Sequence, residues 1–220
     1  MIGNVARHPK AIVFDWDNTL VDTWGVIHDA MNVTLTTFGL APWTLEETRT
    51  RVRRSMRDAF PEMFGERWRE AGDCFYARYT AVHLEKLVPC PGAEDMLGTL
   101  SRSGIYLGVV SNKLGKYLRE EAEYLDWARY FGKIVGALDA PRDKPAADVV
   151  DLALEGSGIA RGPEVWLAGD TEIDLECAHN AGCVPVLLRP SSPNPGEFND
   201  FPPRSYVPDC QALCKLVLNL

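Results

Sequence analysis

The sequence predicts an α/β protein: a doubly wound parallel sheet with an inserted α-helical module. Three observations predict it. Beyond residue 88, short apolar runs alternate with helical patterns. Those runs are almost continuously apolar, as parallel strands are when helices cover both faces. Between Thr23 and about Leu87, by contrast, there is no strand pattern.

The first strand is Ala11–Phe14, and the insert follows it. Ile27, Met31, Leu35 and Phe38 fall at helical spacing, as do Trp68, Ala71, Phe75, Tyr79 and Val82. Each set makes one apolar stripe, and the aromatics read as the insert's own core. Asp22 or Thr23 caps the first of these helices. Arg49, Arg51, Arg53, Arg54 and Arg57 form the one basic cluster. Arg49, Arg53 and Arg57 share a helical face, which reads as solvated rather than as an anion site. Strands at Ile105–Val110, Lys133–Gly136, Val165–Ala168 and Val184–Leu188 then alternate with helices. The helices lie near Ala93–Ser101, Lys116–Trp127, Ala146–Leu154 and Ile173–Ala181. Prolines at 190, 193, 195, 202, 203 and 208 make residues 190–208 a long surface loop. Asp209–Leu220 reads as a short terminal helix. The expected domains are a discontinuous core, residues 1–22 and 88–220, and a helical insert, residues 23–87.

Composition narrows the function. The 220 residues suffice for a substantial core, and 46% hydrophobic with 25% charged residues is ordinary for a globular protein. The net charge of −8 argues against nucleic acid or an anionic membrane as the main partner. It leaves an anionic substrate open, because a local cation overrides the global field. The opening MIGNVARHPK lacks a signal peptide's apolar segment, and no apolar run approaches a membrane span. The 6 cysteines form no CxxC pair and the 4 histidines are scattered. They read as reduced core thiols of a cytoplasmic protein, not as a zinc site or a disulfide frame.

Four stretches carry chemistry. Asp15-Trp16-Asp17-Asn18-Thr19-Leu20 follows the first strand. Two carboxylates at a buried strand end disfavour each other's ionisation unless a cation joins them. A metal site, a chance pair and a helix cap all remain open there. Ser111-Asn112-Lys113 follows a second strand and offers a hydroxyl and amides to an oxyanion, although Ser-Asn is also a common loop pair. Lys144 precedes Pro145 at a helix entrance, where the helix dipole leaves a cation in want of an anion. Gly169-Asp170 ends a further strand, and Asp174 follows one helical turn later. Two such acids suit either a helix N-terminus or Mg²⁺. In a parallel sheet all four strand ends meet at one edge, where such folds bind ligands.

In this order the stretches resemble the haloacid dehalogenase superfamily, in particular its phosphoglycolate-phosphatase-like members. The resemblance spans nearly the whole chain. Asp15, Asp17 and Thr19 match its first motif, Ser111 its second and Lys144 its third. Asp170 and Asp174, within GDTEIDLECAHNAG, match its acidic fourth. Asn18 stands where glycine is commoner, and Asn tolerates left-handed geometry. The resemblance implies a Rossmann-like core with a helical cap, and a Mg²⁺-dependent phosphomonoesterase for a small phosphorylated metabolite. It implies Asp15 as nucleophile and Asp17 as acid and base, with the Asp17 backbone carbonyl on the metal. Asp170 and Asp174 become the further metal acids, and Ser111, Asn112 and Lys144 the phosphate donors. Thr19 orients the loop. A sugar-phosphate mutase on the same core is the alternative, and a non-catalytic interaction module the remote one.

Overall fold

The computed structural model describes residues 8–52 and 56–219. Arg53 and Arg54 of the basic cluster, the opening residues 1–7 and the terminal Leu220 lie outside them. The chain divides into two compact units, Met1–Val21 with Pro89–Leu220, and Asp22–Val88.

The first unit is built on β1 (Ala11–Phe14), β4 (Tyr106–Leu114), β5 (Lys133–Ala137), β6 (Val165–Gly169), β7 (Val184–Leu188) and β8 (Ser205–Val207). They form one sheet in the order β5-β4-β1-β6-β7-β8, with every pairing parallel. Two further strands, β2 (Val21–Asp22) and β3 (Val88–Pro89), make a separate two-stranded sheet. All four residues of β1 are fully buried, which is why its sequence is apolar without alternation. Ala11 and Val13 face a cluster with Val149, Val150, Ala153 and Leu154 of α7 (Asp148–Leu154). Cys177, Ala178 and Ala181 of α8 (Glu172–Ala181) join the same cluster. Period-two alternation turns Ile12 and Phe14 to the opposite face. The remaining helices of this unit are α5 (Ala93–Arg102), α6 (Gly115–Tyr124) and α9 (Cys210–Leu218).

β1 stands at the switch point. β4 and β5 lie on one side of it, and β6, β7 and β8 on the other. Phe14 pairs with Val109 of β4 and with Ala168 of β6. The residues just beyond these partners are therefore level at one sheet edge.

Four readings of this unit need correction. The expected loop at 190–208 contains β8, whose Tyr206 pairs with Leu187 of β7. It is a three-residue strand at the sheet's edge, the position where flanking prolines are tolerated. β4 does not stop before Ser111 but continues to Leu114, with its register to β5 shifting between Val110 and Leu114. α7 starts at Asp148, so Lys144 precedes the helix instead of sitting at its entrance. α6 ends at Tyr124, three residues short of Trp127.

The second unit is helical: α1 (Trp24–Thr37), α2 (Leu45–Arg51), α3 (Met56–Phe64) and α4 (Trp68–Val82). Ala71, Phe75, Tyr79 and Val82 are buried along α4, and the Phe75 and Tyr79 rings stack at 5.7 Å. On α1 the fully packed positions are Val26, Ala30, Met31, Thr34 and Leu35, with Ile27 and Phe38 at the stripe's margin. Thr23 occupies the α1 N-cap position, while the Asp22 carboxylate accepts the Trp24 N–H at 3.1 Å. Thr44 and Glu47 close a capping box on α2. Arg49 lies on α2 and Arg57 on α3, so they do not share one helical face. Arg49 is exposed, and Arg51 pairs with Glu47 at 3.0 Å and lies over the Trp43 ring. No helix among the described residues is long and apolar enough to cross a membrane. The cysteines are all free thiols, and Cys177, Cys183 and Cys210 are buried.

Candidate active site

The site grows from the end of β1. The Asp15 N–H donates to the Ala168 carbonyl at 2.9 Å, so sheet pairing continues one residue past the strand. This holds Asp15 beside the turn that carries Asp170 from β6 into α8. The next turn reverses at Asn18, whose φ of +62° is the left-handed conformation that Asn accepts. Thr19, buried in that turn, donates to Asp15 Oδ2 at 3.4 Å.

Lys144 reaches the same point from the loop after β5. Its Nζ lies 2.6 Å from Asp15 Oδ1 and 2.7 Å from Asp174 Oδ1. The Asp143 carboxylate steadies this loop by accepting the Leu138 N–H at 3.0 Å. Asp174, in the first turn of α8, uses its other oxygen as a cap, accepting from the Thr171 N–H and hydroxyl at 3.1 and 3.0 Å. The cap and the cluster roles thus fall to the same side chain. Gly169 makes this fold-back possible, because Asp174 lies where a β-carbon on residue 169 would be.

Charge decides what this arrangement can hold. Ligand oxygens of Asp15, Asp170 and Asp174 lie within 4.8 Å of one another. Three carboxylates gather there, and two of them share the Lys144 ammonium. Burial pushes Asp15 up to about 7; Asp174 and Asp17 add to the rise and Lys144 opposes it. Asp170 is raised well above the usual range, first by burial and then by Asp15 and Asp174. Burial alone would lower Lys144, but Asp15 and Asp174 outweigh it and hold the ammonium charged. A closely spaced set of hard oxygen donors with excess negative charge fits a divalent cation such as Mg²⁺.

The other expected residues lie around this cluster. The Asp17 side chain is outside the three-carboxylate set, with Oδ1 2.6 Å from Lys113 Nζ. Ser111 is buried, and its Oγ accepts the Lys113 N–H at 3.1 Å. Asn112 Nδ2 donates to the Lys144 carbonyl at 3.2 Å, so this side chain ties two loops together.

Sequence reasoning gave no role to Lys113, Glu121, Trp16 or Asp143. Lys113 and Glu121 form a buried pair at 2.5 Å, and Trp16 Nε1 donates to the same Glu121 oxygen at 2.7 Å. One signal was readable. Tyr117, Leu118, Glu121 and Ala122 make the buried stripe of α6, and Glu121 is a charge on that stripe.

The model of the haloacid dehalogenase-like hydrolase family matches residues 12–187. A phosphoglycolate phosphatase from Chromobacterium violaceum is 29% identical over 191 residues, covering 83% of this chain and 86% of that protein. A HAD-superfamily hydrolase from Ehrlichia chaffeensis superposes with a TM-score of 0.66 at 26% identity, covering 97% and 98% of the two chains. A haloacid dehalogenase-like family hydrolase from Streptococcus pneumoniae has a TM-score of 0.81 at 23% identity, with 94% and 97% covered.

Proposed function

The chain belongs to the haloacid dehalogenase-like hydrolases, and from that premise we propose a Mg²⁺-dependent phosphomonoesterase that works through an aspartyl-phosphate on Asp15. The observation that carries this reading is the Lys144 ammonium shared between Asp15 and Asp174 beside Asp170. A nucleophilic carboxylate is useful only if it is ionised, and Lys144 opposes the burial that would protonate it.

In this mechanism an Asp15 oxygen attacks phosphorus, and the bond from phosphorus to the alcohol oxygen breaks. The Asp17 carboxyl gives its proton to the departing oxygen. It then takes a proton from a water that attacks the same phosphorus, which frees inorganic phosphate and restores Asp15. General acid–base help of this kind contributes about 10²–10⁴-fold. Asp15, Asp170 and the Asp17 carbonyl would hold the cation, with Asp174 as a further acid. When bound, it neutralises charge on the transferring phosphoryl group. The Lys144 ammonium, the Ser111 hydroxyl and the Asn112 N–H bind the phosphoryl oxygens. Thr19 steadies the Asp15 carboxylate. The helical unit acts as the cap, and substrate choice falls to it. By likeness to the Chromobacterium relative, the first substrate to try is 2-phosphoglycolate.

The test is phosphate release from a panel of phosphorylated metabolites, with Mg²⁺ or with EDTA. Turnover should require the metal, and Asp15→Asn should lower it by at least about 10³-fold. An Asp15→Asn protein, free of contaminating phosphatase, that retained a tenth of the parent rate would overturn the assignment.

A further inference from the structure

Lys113 and Glu121 lie outside the carboxylate cluster, yet they are among the most deeply buried charges of the core unit. The Lys113 side chain is 6% exposed and that of Glu121 is 0% exposed. Lys113 Nζ bridges Asp17 Oδ1 at 2.6 Å and Glu121 Oε2 at 2.5 Å. Glu121 Oε2 also accepts from Trp16 Nε1 at 2.7 Å. Trp16 is itself held edge-on by Trp127 and Phe131, with ring centroids at 5.9 and 6.4 Å. A continuous line of contacts therefore runs from the aromatic core to the Asp17 carboxylate.

Stability is a weak reason for this line. A buried ion pair of this kind is often no more stabilising than apolar side chains of similar volume. Specificity of geometry is the better explanation. A flexible Lys side chain gains one direction when Glu121 anchors it, and Asp17 then inherits that direction.

We infer that Lys113, anchored by Glu121 and Trp16, is the positioning residue for Asp17. It holds the Asp17 side chain toward the leaving oxygen while the Asp17 backbone serves the metal. The inference rests on the proposed acid–base role of Asp17.

The test compares two substrates that differ in their need for a proton. The alcohol oxygen of 2-phosphoglycolate must be protonated as it leaves, whereas p-nitrophenyl phosphate releases a phenolate that is stable without a proton. kcat/KM would be measured for both with Lys113→Met, with Lys113→Arg and with the charge-free double variant Lys113→Met/Glu121→Gln. The double variant does not strand the fully buried Glu121 charge and frees only Asp17, the group under test, and thermal unfolding checks that each protein folds.

Lys113→Met and the double variant should lower kcat/KM for 2-phosphoglycolate at least about ten-fold more than for the aryl ester. Lys113→Arg should restore part of that difference. Added to Asp17→Asn, Lys113→Met should cost nothing further, because the two side chains act as one unit. Equal losses on both substrates, or a further loss on top of Asp17→Asn, would refute the positioning role. Failure of the parent reading has a different signature: Asp17→Asn itself would then fail to discriminate between the two substrates.

Discussion

A β-carbon on Gly169 would stand 2.3 Å from the Asp174 carboxyl carbon, far inside van der Waals contact. The bare backbone at Gly169 lets Asp174 fold back over the end of β6, with one oxygen on Lys144 and the other on Thr171. Gly169→Ala must therefore displace Asp174 or the strand end. A shift of about 1 Å at a catalytic cluster can cost about 10²-fold in rate, and overpacking costs about 1–3 kcal/mol. The expected result is a loss of phosphatase rate near that size with a lowered Tm. A Gly169→Ala protein with parental rate and Tm would show that Asp174 is not held by this contact.

The crowded carboxylates also predict an unusual pH dependence for the metal-free protein. Asp15 has an ordinary value of 3.8 and is pushed up to about 7 in the fold by burial, and Asp170 moves the same way. Between those values the folded chain binds a proton that the unfolded chain does not. Stability therefore falls as pH rises through this window, by at most about 1.4 kcal/mol per pH unit for each such group. Asp29 acts elsewhere on the scale. Its hydrogen bond from Arg78, helped by Lys86, outweighs partial burial and holds it below 3.8, so its contribution is lost only in more acidic solution. Bound Mg²⁺ competes with the protons and should flatten the slope. Melting in EDTA from pH 5.5 to 8 should show Tm falling with pH, and excess Mg²⁺ should remove that fall. A pH-independent Tm in EDTA would contradict the crowding.

What the sequence disclosed follows from the kind of physics involved. β1 and β7 were legible to the residue because strands buried on both faces are apolar throughout, as AIVF and VPVLL are. The end of β4 was not, because Ser111, Asn112 and Lys113 have loop chemistry but strand geometry. Asp15 and Asp170 stood out as acids at the ends of apolar runs, Asp174 as an acid one helical turn further on and Lys144 as a cation before Pro145, and the structure brings the four together. The contacts of Asp17 were hidden. Lys113 and Glu121 lie eight residues apart, one on a strand and one on a helix; the α6 stripe marks Glu121, but only folding shows that the Lys113 ammonium meets it.

The proline-rich stretch shows the same limit and can be tested directly. Phe198 is 7% exposed and clusters with Leu175 of α8 and Leu187 of β7, with Phe201 and Tyr206 packed against them. Arg189 lies over the Phe198 ring at 5.2 Å and pairs with Glu197 at 2.8 Å. The Arg204 N–H donates to the Pro185 carbonyl at 2.8 Å, pinning the approach to β8. This segment therefore closes the core beside β7 and is more than a surface connection. Removing a buried Phe ring typically costs about 3–5 kcal/mol, and a ring in a small satellite cluster belongs at the lower end. Phe198→Ala should cost about 3 kcal/mol in chemical denaturation. Ser192→Ala, on the exposed part of the same segment, should stay within about 0.5 kcal/mol of the parent. If the two variants melted alike, the segment would be the loop that its composition suggests, and β8 would hold to the sheet without it.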